Sequence, residues 1–249
     1  MKKTLTLIGG AFVAGSVSAS AASVLVAGWD SFDNVAAPTP THLDTGITAT
    51  LTTSGTGGPW DDWNNSVQGA SADGTFGNLS NTVATADPDP GTGSNQGTNL
   101  SLNRSRKPGT LSFSLVNNSG TDLAFDAFYF DGGYRFTQSA RDWELSFGGA
   151  VSGTALSDTL SQVSSLKDAA AADRDWAVDL SGLTDNVWEN GSTATFTLTF
   201  TGGDTALSTG GGHETLLDNL GFTASAVPEP STFALFGLGG LALLLRRRA

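Results

Sequence analysis

Apolar and polar residues alternate with period two along several short stretches of this chain. Thr193 to Phe200 (TATFTLTF) is the cleanest, with Ala194, Phe196, Leu198 and Phe200 on one face and four threonines on the other. That pattern is a half-buried antiparallel strand with a wet outer face. Leu111, Phe113 and Leu115 alternate with serines in the same way, and Trp143, Leu145, Phe147 and Trp176, Val178, Leu180 form two more sets. Leu123, Phe125, Ala127 and Tyr129 also alternate, although Phe128 and Phe130 make the opposite face apolar too. Val24 to Trp29, Ile47 to Thr53 and Leu216 to Thr223 bring the expectation to about eight strands. Turn signals fall between them at Asn117–Gly120, Asp131-Gly132-Gly133, Gly148-Gly149 and Thr201–Gly203. Short alternating strands with glycine-rich turns predict an all-β fold, an antiparallel β-sandwich of jelly-roll-like character.

Two stretches depart from this rhythm. Residues 54–109 are polar and glycine-rich with few apolar anchors, which predicts one or two irregular strands and a loose stretch over 86–98. Over Thr159 to Ala172, Leu160, Val163 and Leu166 recur at helical spacing before a run of alanines, which predicts a short helix.

The two ends carry a different pattern. Lys2 and Lys3 precede the uncharged apolar stretch Leu5 to Val17, and small residues follow, with an Ala-x-Ala cleavage site at Ala19 to Ala21. That order is a secretory signal peptide, predicted over residues 1–21, and it calls on the export machinery. At the other end, Pro228-Glu229-Pro230 is followed by an apolar run from Phe233 to Leu245 and then by Arg246, Arg247 and Arg248. As a helix the run would rise about 20 Å against a hydrocarbon core of about 30 Å. It reads as a minimal, transient membrane span, stopped by the arginines with the tail left in the cytoplasm.

These C-terminal residues resemble those of bacterial proteins with a PEP-CTERM sorting tail. The likeness rests on Val227 to Thr232, the Gly237–Gly240 break in the apolar run and the arginine cluster. It covers only about a tenth of the chain. It implies an exosortase, a membrane-embedded cysteine transpeptidase-like enzyme of Gram-negative-type bacteria, as partner. It further implies cutting near Pro-Glu-Pro and delivery to the outer surface or release, often alongside exopolysaccharide. The domain expectation is therefore a signal peptide (1–21), a β-sandwich (22–226) and a sorting segment (227–249).

Composition narrows the body's chemistry. The chain has 249 residues, no cysteine and a formal charge of −12. The body is more acidic still, because Lys2, Lys3 and the three arginines lie in the terminal segments. Such a surface repels nucleic acid and anionic lipid, while divalent cations and neutral glycans remain as ligands. Without disulfides, stability must come from burial, with a metal ion as an added source.

Catalysis is thinly supplied. There are two histidines, His42 and His213, and no G-x-S-x-G elbow. A glycosidase needs paired carboxylates, and nothing in the sequence pairs the body's glutamates Glu144, Glu189 and Glu214. The expectation is a non-enzymatic structural or adhesive protein of the cell surface or matrix, ahead of a glycan-binding module and well ahead of a hydrolase.

Two sites suggest themselves for a ligand. Trp60-Asp61-Asp62-Trp63 sits in a polar stretch and reads as a sugar-stacking platform, whereas Trp143 and Trp176 read as core. Asp218, in Leu216–Phe222 (LLDNLGF), places a charge within an otherwise apolar strand, which is costly unless it is paired or bound to a cation. The motif resembles the last strand of jelly-roll carbohydrate-binding modules, and that likeness implies a structural calcium between Asp218 and the first strand, at Asp30 or Asp33. The alternative is Asp218 bonding neighbouring backbone at a bulge. Asp87-Pro88-Asp89-Pro90-Gly91 lacks the remaining ligands of a calcium loop and reads as an extended linker.

Overall fold

A computed structural model describes residues 21–32, 36–55, 60–63, 76, 79, 99–102, 108–166, 168–203 and 214–228, with the backbone alone at 61–63. Ala22–Val227 forms one compact unit. The expectations for the signal segment up to residue 20, for Glu229, Pro230 and the span Phe233 to Leu245, and for Arg246–Arg248 lie outside the described residues, as do those for Asp33, Asp87–Gly91 and His213. Among the described residues no helix is long and apolar enough to cross a membrane.

The unit opens with β1 (Val24–Trp29), β2 (His42–Leu43), β3 (Ile47–Gly55), β4 (Trp60–Trp63) and β5 (Asn99–Leu102). The long strands β6 (Gly109–Asn117), β7 (Leu123–Tyr134) and β8 (Asp142–Gly149) come next, then the short β9 (Leu156–Thr159). One helical turn, α1 (Ala171–Arg174), leads into β10 (Asp175–Asp179), β11 (Val187–Trp188), β12 (Thr193–Thr201) and β13 (Thr215–Ala226). All eight expected strands are present within a few residues of their predicted bounds.

They assemble into two antiparallel sheets. The five-stranded sheet runs β3-β6-β12-β8-β9. The larger sheet runs β10-β7-β13-β1-β2, with β11 on β7 and the β4–β5 pair joined to β13. The sheets pack face to face through aromatic rings. Phe196 of β12 lies 5.0 Å from Phe125 and 4.6 Å from Phe222, while Phe113 of β6 lies 5.3 Å from Trp29 and 5.6 Å from Phe128. Each such pair adds about 0.5–1.5 kcal/mol to the burial of the rings. The molecule is an all-β sandwich.

Bulges explain the segments whose alternation reads ambiguously. In β7 the register slips between Phe125 and Ala127, opposite Ala224 and Thr223. The extra residue, Asp126, reverses the phase, so Phe125, Phe128 and Phe130 all reach the one core. A second slip lies between Asp218 and Gly221 of β13, where Asn219 adopts φ 47°. It brings Leu217, Leu220 and Phe222 onto the core face.

Two expectations are corrected. Asp131-Gly132-Gly133 is not a turn but the interior of β7, paired with Asp218, Leu217 and Leu216. The glycines answer a packing need: a Cβ on Gly132 would meet Phe130 at 2.7 Å, and one on Gly133 would meet Val163 at 2.5 Å. The helix expected over 159–172 is not found at Leu160, Val163 or Leu166; the one helical turn, α1, overlaps that range only at Ala171 and Ala172. Backbone bonds from Tyr134 N to the Ser161 carbonyl (3.0 Å) and from Val163 N to the Tyr134 carbonyl (2.9 Å) hold Ser161 to Val163 extended along the end of β7. Val163 and Leu166 then bury against Leu216, so sheet pairing overrides local helical spacing.

Candidate functional site

Bulged strand β13 gathers polar groups in a setting where few should survive. Asp218 and Asp131 are register partners across β13 and β7, and both are buried. Two carboxylates side by side out of water repel, and they persist only where donors or positive charge surround them. Asn219 supplies two donors: its backbone N–H donates to Asp218 Oδ1 at 2.9 Å, and its Nδ2 donates to Asp131 Oδ2 at 3.0 Å. The left-handed backbone of Asn219 makes this reach achievable, and Asn is among the few side chains that tolerate it. Asp218 therefore does bond neighbouring backbone at a bulge.

The seam continues across the sheet. Beyond Asp131 stands its partner Asp175 on β10, paired with Arg174 at 2.9 Å. Arg174 is itself buried, and its Nη1 donates to the carbonyls of Leu166 and Ala169. On the other side of β13, Leu217 pairs with Leu100 of β5, and Asn99 precedes Leu100 on that strand. Asn99 is fully buried, and among the described residues neither its Oδ1 nor its Nδ2 has a hydrogen-bond partner. Asp30 follows Trp29, which pairs with Leu220, and its N–H donates to Thr41 Oγ1 at 3.1 Å. Sequence reading finds Asp218 and Asp30 but misses Asp131, hidden in an apparent turn, and Asn99, hidden in a polar stretch.

The oxygen donors here, carboxylate and amide, are those a calcium ion takes. Yet among the described residues no group of three or more His, Asp or Glu side chains is spaced to hold a metal ion. The fit is thus partial: two facing carboxylates and two amides, with Asp30 nearby in register.

The tryptophan platform is corrected. Trp60 is only 3% exposed, with its indole N–H donating to the Ser54 carbonyl at 3.1 Å and its ring edge-on to Phe200 at 5.8 Å. A ring so enclosed offers no face to a sugar. The pairing of β4 with β5 carries it inward; the side chain of Trp63 lies outside the described residues. Trp143 is buried, and Trp176 is partly buried and stacks on Phe130.

Other titratable groups are dispersed. His42 Nε2 lies 2.9 Å from the Leu25 carbonyl, so that nitrogen carries a proton and donates. Glu144 and Glu189 are exposed, whereas Glu214 is buried against Arg135. Burial raises the Tyr129 phenol above its usual range, with Asp126 and Asp179 adding to the shift. Hydrogen bonds from the Ser181 hydroxyl and N–H hold the Asp179 carboxyl below its own.

The other candidate is the tail, and its attachment is visible. Strand β13 runs to Ala226, Val227 N donates to the Asp122 carbonyl at 3.0 Å, and Pro228 stands exposed. Residues 226–248 match the PEP-CTERM protein-sorting motif. No curated protein matches the chain. The PEP-CTERM tail implies an exported protein with a membrane-anchored C-terminal sorting signal that an exosortase processes.

Proposed function

We infer that the chain is a non-enzymatic surface or extracellular-matrix protein, with a structural or adhesive role, whose β-sandwich is cargo delivered by its C-terminal tail. One observation carries this reading: the matched motif begins where β13 ends. Among the described residues every strand lies N-terminal to Pro228, so a cut near Pro228-Glu229-Pro230 leaves all of these strands in place. On this reading the export machinery threads the chain outward, and the tail pauses in the inner membrane. Exosortase then passes the sandwich to the outer envelope, the cell surface or the surrounding exopolysaccharide.

The test compares the full chain with a variant carrying Pro228→Ala, Glu229→Ala and Pro230→Ala, in cells with and without an exosortase. The wild type should lose its tail and leave the inner-membrane fraction only where the enzyme is present, and the variant should stay full-length and membrane-bound. Equal processing of both chains, or processing without the enzyme, refutes the reading.

A second reading concerns stability: a structural calcium at Asp218 and Asp131, with Asn219 and Asn99 as amide donors and Asp30 at the margin. Its support is the buried pair of facing carboxylates and the unbonded Asn99 amide. A bound ion at one hundred times its dissociation constant would stabilise by about 2.7 kcal/mol. For a unit of this size that corresponds to a rise in Tm of about 5–10 °C. Melting with calcium and with chelator should differ by that much, and Asp218→Asn should abolish the difference. An unshifted midpoint removes the ion.

A further inference from the structure

The outward face of the five-stranded sheet is a lattice of hydroxyl groups. Each outward position of β3 and β12 is a threonine or serine, and β6 departs from this only at Val116. Strand register lines them into rows that cross the sheet. Thr52, Ser112, Thr197 and Ser146 form one row, and Thr50, Ser114 and Thr195 form the next. The spacing follows from sheet geometry: about 4.8 Å between strands and about 6.7 Å between successive rows.

Three features set this face apart from an ordinary wet sheet. Threonine is expected in strands, but serine is not a strand former, so propensity does not account for Ser112 and Ser114. Among the described residues the charge on this face is confined to Asp142 and Glu144 at one end of β8, beside Thr201 and Thr199, although the chain as a whole carries −12. The hydroxyls are also uncommitted: those of Thr50, Thr52, Ser112, Ser114, Thr195 and Thr197 make no hydrogen bond within the protein among the described residues. On the same sheet the Ser146 and Thr159 hydroxyls do make bonds, to the Thr197 carbonyl and to Asp142, so the six uncommitted groups lie toward β3, β6 and β12.

We propose that this face binds a neutral polysaccharide, its hydroxyl rows exchanging donor and acceptor roles with the hydroxyls of the sugar chain. Ser and Thr each offer one donor and two acceptor sites, the same set as a sugar hydroxyl. A polyanion finds no cation in these rows and meets an acidic protein around them. A second copy of the chain would bury hydroxyls against hydroxyls without the apolar core that associating surfaces need. A flat crystalline surface fits poorly, because neighbouring strands rotate by about 20–25°. A flexible chain follows that twist. Each hydrogen bond gained against water contributes little by itself, so binding builds by repetition along the polymer. The proposal holds however the tail is processed, and it replaces the buried Trp60 as the contact surface.

Affinity electrophoresis of the full chain in mild detergent, through gels containing dextran, hydroxyethylcellulose or alginate, tests it. At least one neutral polymer should slow the protein twofold or more relative to an unrelated acidic protein, alginate should not, and short oligosaccharides should compete weakly. The double variant Thr52→Val and Thr197→Val keeps shape and strand propensity while removing two hydroxyls of the central row. It should lose most of the retardation, and Thr52→Lys with Thr197→Lys should lose the rest. A substitution away from this face, Ser181→Val in the turn after β10, should leave it intact. Unaltered mobility in every neutral gel overturns the proposal, as does equal retardation by alginate or retardation that survives both double variants. Circular dichroism of each variant separates loss of binding from loss of fold.

Discussion

Phe196→Ala is expected to cost the sandwich about 3–5 kcal/mol, the range for deleting a fully buried phenylalanine. The ring is 0% exposed at the centre of β12 and touches Phe125 and Phe222 of the opposite sheet and Phe147 of its own. Its loss opens a cavity at the layer where the two sheets meet, and neighbouring rings held by strand register relax only partly into it. In a unit of this length the deficit corresponds to a fall in Tm on the order of 10 °C. Thermal or urea unfolding reads it directly. Thr197→Val, one residue along and facing water, should change stability by about 0.5 kcal/mol or less. If the two variants melted alike, the assignment of inner and outer faces on β12 would be wrong.

Arg135→Ala is the second large effect. Glu214 is 4% exposed at the entrance to β13, and Arg135 Nη1 meets its Oε2 at 3.0 Å. The backbones are tied as well, with Arg135 N donating to the Glu214 carbonyl at 2.9 Å. Arg135 also holds the stretch Gln162 to Ser164, through Nε to the Ser164 carbonyl and through its own carbonyl to Gln162 Nε2. Removing the guanidinium leaves a buried carboxylate without its cation, a loss of about 3 kcal/mol or more. Removing both charges, as Arg135→Met with Glu214→Gln, should recover most of that loss, because the penalty lies in the stranded charge. A double-mutant cycle by chemical denaturation measures the coupling. A double variant no more stable than Arg135→Ala would show that the arginine acts through packing and its backbone-directed bonds.

Strands with one wet face were legible from their side chains alone. β6 and β12 alternate without interruption because one side meets the other sheet and the other meets water, so period two maps onto burial. β7 and β13 were harder. They lie in the middle of the larger sheet and are covered on parts of both faces, and each carries a bulge that reverses its phase. The 159–172 segment misled because helical spacing is a local signal, while the free backbone groups at the end of β7 offered a partner that local spacing does not register.

The candidate sites divide along the same line. Asp218 stood out because a charge among leucines is anomalous wherever the chain runs. Asp131 did not, because an aspartate before two glycines looks like a turn until a distant strand pairs with it. Trp60 looked exposed because its sequence neighbours are polar, and only pairing with β5 turned it inward.

By itself, the sequence determined the all-β class, the faces of the regular strands and the sorting tail, since period-two patterning and a linear motif are properties of adjacent residues. The tertiary structure alone decided three further things. It brought Asp131 and Asp218 together in one buried seam, enclosed Trp60, and aligned separate threonines and serines into rows. All three depend on which strands neighbour one another and in what register, and register is fixed by cross-strand hydrogen bonds between residues far apart in the chain.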